Sequence, residues 1–164
     1  MKKFTICIVA FVALIAPVSP VFAGTATGAL NIQANLASSC SVSTTPVNFG
    51  DIFSPSGSAT GDVIVNCPSG LGYHIALDAG TNYTAGDQFR RLVSGGGSGI
   101  YYSLAKVSGE RWGDSDYANT FNYGTSLADT SNGSNQSHIV YGSLQGGSTV
   151  PGIYTGIVQV TVHW

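Results

Sequence analysis

Three histidines, eight acidic residues and many serines are the side chains with which this chain could do chemistry. His74 and Asp78 stand four apart, which is the spacing of one helix face. The segment that holds them, Tyr73-His74-Ile75-Ala76-Leu77-Asp78, instead alternates as a strand does. In a strand the two side chains share a face but lie roughly 13 Å apart. That is beyond the hydrogen-bond reach a general base needs. Gly97-Ser98-Gly99 does not complete the Gly-x-Ser-x-Gly elbow, and no strand-to-helix turn surrounds it. His138 and His163 are expected on the solvent side of strands. A hydrolase using His74 and Asp78 is therefore the third reading, and no enzyme activity is expected.

Other constellations are weaker still. Asp114, Asp116 and Asn119 invite a calcium site, but their spacing departs from the Asp-x-Asp-x-Asp-Gly loop and no glutamate follows where one is required. A solvated polar loop, with no metal, is expected there. The tract Gly95-Gly96-Gly97-Ser98-Gly99 is followed by Ile100 where a nucleotide-binding loop would need glycine, so it reads as a turn and no cofactor is implied. Trp112, Tyr101, Tyr102 and Tyr141 fit either a sugar-stacking platform or a core, and at strand spacing the core is favoured.

The N-terminus reads as an address. Met1-Lys2-Lys3 is basic, Phe4 to Ala16 is apolar apart from Thr5, and Val21-Phe22-Ala23 offers small residues to a signal peptidase. Residues 1–23 are thus expected to be a secretory signal, too short in its apolar run to span a bilayer, which needs about 20 such residues. No transmembrane anchor is expected elsewhere. Past Ala23 the basic residues are Arg90, Arg91, Lys106 and Arg111 against eight acidic ones, a formal charge of −4. A chain so poor in cations has no footprint for nucleic acid. Cys7 leaves with the signal. The pair that remains, Cys40 and Cys67, reads as a disulfide in an oxidising compartment. Such a bridge stabilises by about 3.5 kcal/mol in the chain-entropy account.

Gly, Ser, Thr and Asn are abundant while Glu, Lys and Met are scarce, and short strand-like runs recur between turn signals. This pattern predicts an antiparallel sandwich or barrel. Strands are expected within Cys40–Phe49, broken at Pro46, and over Asp62–Cys67, Tyr73–Asp78, Phe89–Val93, Ile100–Val107 and His138–Leu144. The last strand is expected to run from Tyr154 to Trp164, with Val158, Val160, Val162 and Trp164 on one face. Gly95–Gly99 should turn a hairpin. Asp114–Gln136 is polar, with two short strands conceivable around Phe121 and Leu127.

A separate alternating stretch precedes Cys40. Leu30, Ile32, Ala34 and Leu36 occupy every second position, with Asn31, Gln33 and Asn35 between them. As a strand it has one apolar edge and one amide-rich edge. Such a row needs a groove, either in its own molecule or in another, because an extended segment can add to an exposed sheet edge.

Several words in sequence order resemble the spore coat protein U domain. They are Cys40-Ser41-Val42, Val47-Asn48-Phe49-Gly50, Val63-Ile64-Val65-Asn66-Cys67, Tyr73 through Gly80, Ile100-Tyr101-Tyr102-Ser103-Leu104, Trp112-Gly113-Asp114, Val140-Tyr141-Gly142, and Gly152-Ile153-Tyr154 leading to Val160-Thr161-Val162. Most members of that family resemble pilin subunits of archaic chaperone–usher systems. The resemblance implies an all-β, immunoglobulin-like sandwich that lacks its final strand, spanning residues 40–164. Residues 24–39 would then carry a donor strand for a neighbouring copy, through Leu30, Ile32, Ala34 and Leu36. Val158, Val160, Val162 and Trp164 would border the acceptor groove and meet the chaperone. It also implies a periplasmic chaperone, an outer-membrane usher and other pilin copies as partners. The expected destination is the cell surface, in a fimbria serving adhesion and biofilm formation. The alternative is a secreted, monomeric carbohydrate-binding sandwich or a spore-coat-type surface protein.

Overall fold

The computed structural model describes residues 29–34 and 39–164. The expected signal peptide and Leu36 lie outside the described residues.

Among the described residues nine antiparallel strands form two sheets: β1 (Ser41–Thr45), β2 (Ser58–Asn66), β3 (Gly72–Leu77), β4 (Arg90–Ser94), β5 (Gly99–Ala105), β6 (Leu127–Thr130), β7 (Gln136–Gly147), β8 (Tyr154–Thr155) and β9 (Val160–His163). Six strands run in the order β1-β2-β7-β5-β4-β8, and three in the order β6-β3-β9. The chain is an all-β, immunoglobulin-like sandwich.

Alternation decides which side chains enter the core. On β2, Val63 and Val65 are buried while Asp62, Ile64 and Asn66 are not, and on β5 Ile100, Tyr102 and Leu104 are buried while Tyr101 is exposed. Tyr73, Ile75 and Leu77 of β3 and Val140 and Leu144 of β7 complete the interior around Trp112. Trp112 is fully buried and donates its indole N–H to Ile75 O at 2.8 Å, so its one polar atom is satisfied. Tyr102 and Trp112 are therefore core. Tyr101 and Tyr141 remain exposed on the outer face of the larger sheet, so the four aromatics make no common platform.

The β4–β5 hairpin turns where the glycine tract predicts. Ser94 N donates to Ser98 O, and Gly97 adopts φ +82°, a conformation that suits glycine. A second glycine is required by close approach. A Cβ on Gly142 of β7 would lie 2.5 Å from Val47 Cγ1 and 3.0 Å from Phe49 Cζ, so the absent side chain makes room for the segment that follows β1.

Polar ties join the sheets at both ends. Arg90 of β4 is fully buried, donates to Asp78 O at 2.8 Å and to Leu77 O at 2.9 Å, and lies 4.0 Å over the Phe121 ring. Burial lowers its pKa to about 10, opposed by nearby groups including Asp78 and Asp114, so it remains a cation at neutral pH. Towards the other end, the Tyr73 hydroxyl of β3 lies 2.8 Å from His138 Nε2 of β7 and 3.4 Å from Asp129 Oδ2 of β6. Cys40 and Cys67 are joined, which bonds the residue before β1 to the residue after β2.

Several local expectations need correction. His138 is not on the solvent side: its side chain is 11 % exposed. Of the loop expected to be solvated, Asp116 and Asn119 are exposed as expected, but Asp114 is not. Asp114 is buried and accepts from Thr120 N, Thr120 Oγ1 and Phe121 N, while Asp116 accepts from Ser126 N and Ser126 Oγ. Phe121 lies in that loop rather than in a strand, with its side chain buried. The run from Tyr154 to Trp164 is not one strand. It gives β8 to the larger sheet and β9 to the smaller, with Gly156–Gln159 crossing between them. β7 also extends through Gln145–Gly147, beyond the end expected at Leu144.

Candidate functional site

Among the described residues a groove of about 730 Å³ opens beside the core. One wall is the end of β1 and the segment after it, Thr44 to Ile52. The other is the stretch from Gly152 to Val158 together with Val160 at the start of β9. Pro46 ends the pairing of β1 with β2, because it lacks an N–H and forces the chain out of register.

The floor of the groove is the core itself. Val63, Leu77, Ile100, Tyr102, Leu104, Val140 and Leu144 line it, and each belongs to the buried interior. Among the described residues, β1 is paired only to β2 and β9 only to β3. Each is a terminal strand with one unpaired edge of N–H and C=O groups. An exposed edge beside apolar floor is a template for another strand. No Lys or Arg lines the groove, whereas Asp51 and Asp62 do, so its chemistry favours an uncharged apolar guest.

The residues expected to border such a groove fall in different places. Val158 and Val160 line it. Val162 packs against the core without lining it, and Trp164 is 57 % exposed and borders a different cleft. In the N-terminal segment, Leu30 and Ile32 are about 85 % exposed and Ala34 is also exposed, with no strand formed over residues 29–34.

The residues considered for catalysis are brought together differently. His74 Nδ1 lies 3.2 Å from Ser126 Oγ, and Ser126 Oγ donates to Asp116 Oδ2 at 2.6 Å. The serine proton thus goes to the carboxylate, the reverse of the order in which a histidine activates a serine. Those hydrogen bonds hold the Asp116 carboxyl below its usual range despite opposition from burial. Asp78 is used elsewhere, accepting from Gly80 N and Gln159 N with Oδ1. At the Tyr73–His138–Asp129 tie, burial lowers the His138 pKa against the opposing pull of Asp129. Tyr73 is pushed up to about 12, chiefly by burial and then by Asp129.

Sequence reasoning passed over three participants. Arg90 appears in it only as one of four basic residues, Leu92 and Leu144 only as strand residues. Alternation along β4 and β7 is the signal that could have placed them.

Comparison with known proteins follows this geometry. A search of curated proteins found no match. Among solved structures, the chain superposes with a TM-score of 0.58 and 19 % identity on a chain of the CsuC–CsuE chaperone–tip adhesion subunit pre-assembly complex from the archaic chaperone–usher Csu pili of Acinetobacter baumannii. The match covers 78 % of this chain and 40 % of that one, so this chain spans less than half the length of its structural relative. The likeness is one of fold. The profile of the Spore Coat Protein U domain matches residues 26–161, and the chain belongs to that family.

Proposed function

We propose that this protein is a structural subunit of a surface fimbria, assembled by donor-strand complementation. The observation that carries the proposal is the groove: two terminal strands, β1 and β9, flank an opening whose floor is hydrophobic core. A sandwich left in that state exposes apolar wall residues such as Ile153 and Ile157 beside unpaired backbone, and a strand laid into it removes both from water. The occupant is the alternating segment of a sister copy, with Leu30, Ile32, Ala34 and Leu36 facing the floor. Residues 24–39 are the donor segment and 40–164 the acceptor body, after removal of residues 1–23 on export. A periplasmic chaperone holds the groove first, and an outer-membrane usher exchanges it for the sister strand. The assembled fimbria stands at the cell surface and supports adhesion and biofilm formation. Family membership and the pilus complex that shares the fold support this reading.

Co-expression with and without a cognate chaperone tests it. Soluble capture with the chaperone, and detergent-resistant ladders that collapse on heating, are the expected result. A stable monomer expressed alone, with its groove closed by its own residues 29–36, would establish the secreted monomeric sandwich instead.

A further inference from the structure

The outer face of the smaller sheet carries a feature that subunit assembly does not use. His74 of β3 and His163 of β9 are directly opposed across the antiparallel pair. Their side chains therefore leave on the same face, with Cβ atoms about 4.5–5.5 Å apart. Tyr73 and Ile75, at the alternate positions, are buried, so the histidine face points away from the core. Both imidazoles line one cleft of about 530 Å³, together with Tyr117 and Trp164. Tyr117 stacks flat on His163 with centroids 4.0 Å apart, and meets His74 at 5.4 Å and 59°. Stacking occupies a ring face. The nitrogen lone pair lies in the ring plane and stays available at the edge.

A second observation fixes the chemistry of His74. Because the Ser126 hydroxyl gives its proton to Asp116, its oxygen can only accept from His74. Nδ1 then carries the hydrogen, and Nε2 carries the lone pair. A histidine whose other ring nitrogen donates to a fixed oxygen is the usual arrangement behind a metal-binding imidazole, since it sets tautomer and ring orientation together.

We propose that His74 and His163 form a two-imidazole site for a borderline divalent transition metal, with copper(II) bound more tightly than nickel(II) or zinc(II). Among the described residues no group of three or more His, Cys, Asp or Glu side chains converges, so water completes the coordination. The site is open and exchangeable, unlike a closed structural zinc centre.

The test uses the purified full-length mature chain, in whichever assembled form it is obtained, titrated with copper(II) sulfate. Trp112 is fully buried and Trp164 borders the cleft, so quenching of tryptophan emission reports on the site. Saturable quenching at one copper per chain, reversed by a chelator, is expected, with an electron paramagnetic resonance spectrum showing two imidazole nitrogens. His163→Gln and His74→Gln should each weaken binding at least about 10-fold. Ser126→Ala keeps both ligands and frees Nδ1, and should weaken it about 10–100-fold. His138→Gln should leave it unchanged. Equal affinity in His163→Gln, a single coordinated imidazole in the unmodified chain, or no saturation at millimolar copper would each overturn the proposal.

Discussion

Replacing Ile32 with aspartate should stop assembly while leaving chaperone capture intact. Ile32 is 86 % exposed in the protein, and its proposed destination is a floor of Val63, Leu104, Val140 and Leu144, each no more than 7 % exposed. Burying an isoleucine there contributes about 1.5–3 kcal/mol, which the substitution removes. The carboxylate then faces a groove with no Lys or Arg in its walls and with Asp51 and Asp62 among them. An unpaired buried charge costs about 3–5 kcal/mol more. The combined loss of about 4.5–8 kcal/mol corresponds to a fall of roughly three to six orders of magnitude in the donor–acceptor equilibrium. The assay is the ladder of detergent-resistant multimers from cells that supply chaperone and usher, compared with Gln33→Asp. That control adds the same charge at the next position, on the amide-rich edge. In the proposed assembly the chaperone would fill the groove of the receiving body rather than meet residues 29–34, so co-purification with it should be equal in both variants. If Ile32→Asp and Gln33→Asp assemble alike, side-chain alternation does not govern docking and the donor assignment fails.

Three further outcomes follow from the fold. Cys40→Ser opens a bridge between residues 27 apart, which should cost about 3.5 kcal/mol and lower periplasmic yield; unchanged resistance to protease would refute it. Burial lowers the pKa of His138 in the folded state, so the unfolded chain binds its proton more readily. The associated stability is complete above the unfolded value of 6.5 and is lost as pH falls from there through the folded pKa. Melting temperature should therefore drop between pH 7.5 and pH 5, and His138→Gln should flatten that drop; an identical slope in the variant would contradict the assignment. Gly142→Ala would press a methyl against Val47 and Phe49 and should cost about 1–3 kcal/mol by chemical denaturation. Gly95→Ala, with nothing near its Cβ, should be close to neutral.

What the sequence disclosed follows from how its information is stored. Strand faces are local, because alternation within five or six residues separates inside from outside. Tyr73, Ile75 and Leu77 were legible for that reason, as was the hairpin at the glycine tract. Partners are not local. His138 is expected on the solvent side although alternation along β7 puts it in phase with Val140 and Leu144, and the hydroxyl it meets belongs to Tyr73, 65 residues earlier. Asp114 reads as solvated because the loop is polar, yet its buried carboxylate serves the backbone N–H groups of Thr120 and Phe121 in a conformation that no periodicity encodes. The C-terminal run misled for another reason. Apolar alternation persists through Val158 and Val160 while the chain changes sheets at Gly156–Gln159, and period-two patterning is blind to which sheet a strand joins.

That change of sheet is also what makes the groove. If residues 154–163 had formed a single strand, they would have closed one edge and left the interior sealed. Instead β8 holds to β4 with two residues, and β9 starts afresh against β3, so the stretch between them forms a wall rather than a lid. On the opposite side Pro46 ends β1 and sends Val47 and Phe49 onto Gly142, which keeps the other wall apart. Both walls are thus fixed by specific residues, and a gap held open by its own packing cannot be closed by simple collapse of the chain. A floor of Leu104, Val140 and Leu144 within such a gap gains stability only when an extended apolar segment enters. In the proposed assembly, completion of the core would be coupled to the arrival of a strand, and Gly142→Ala should weaken that coupling by shifting one wall as well as weakening the body.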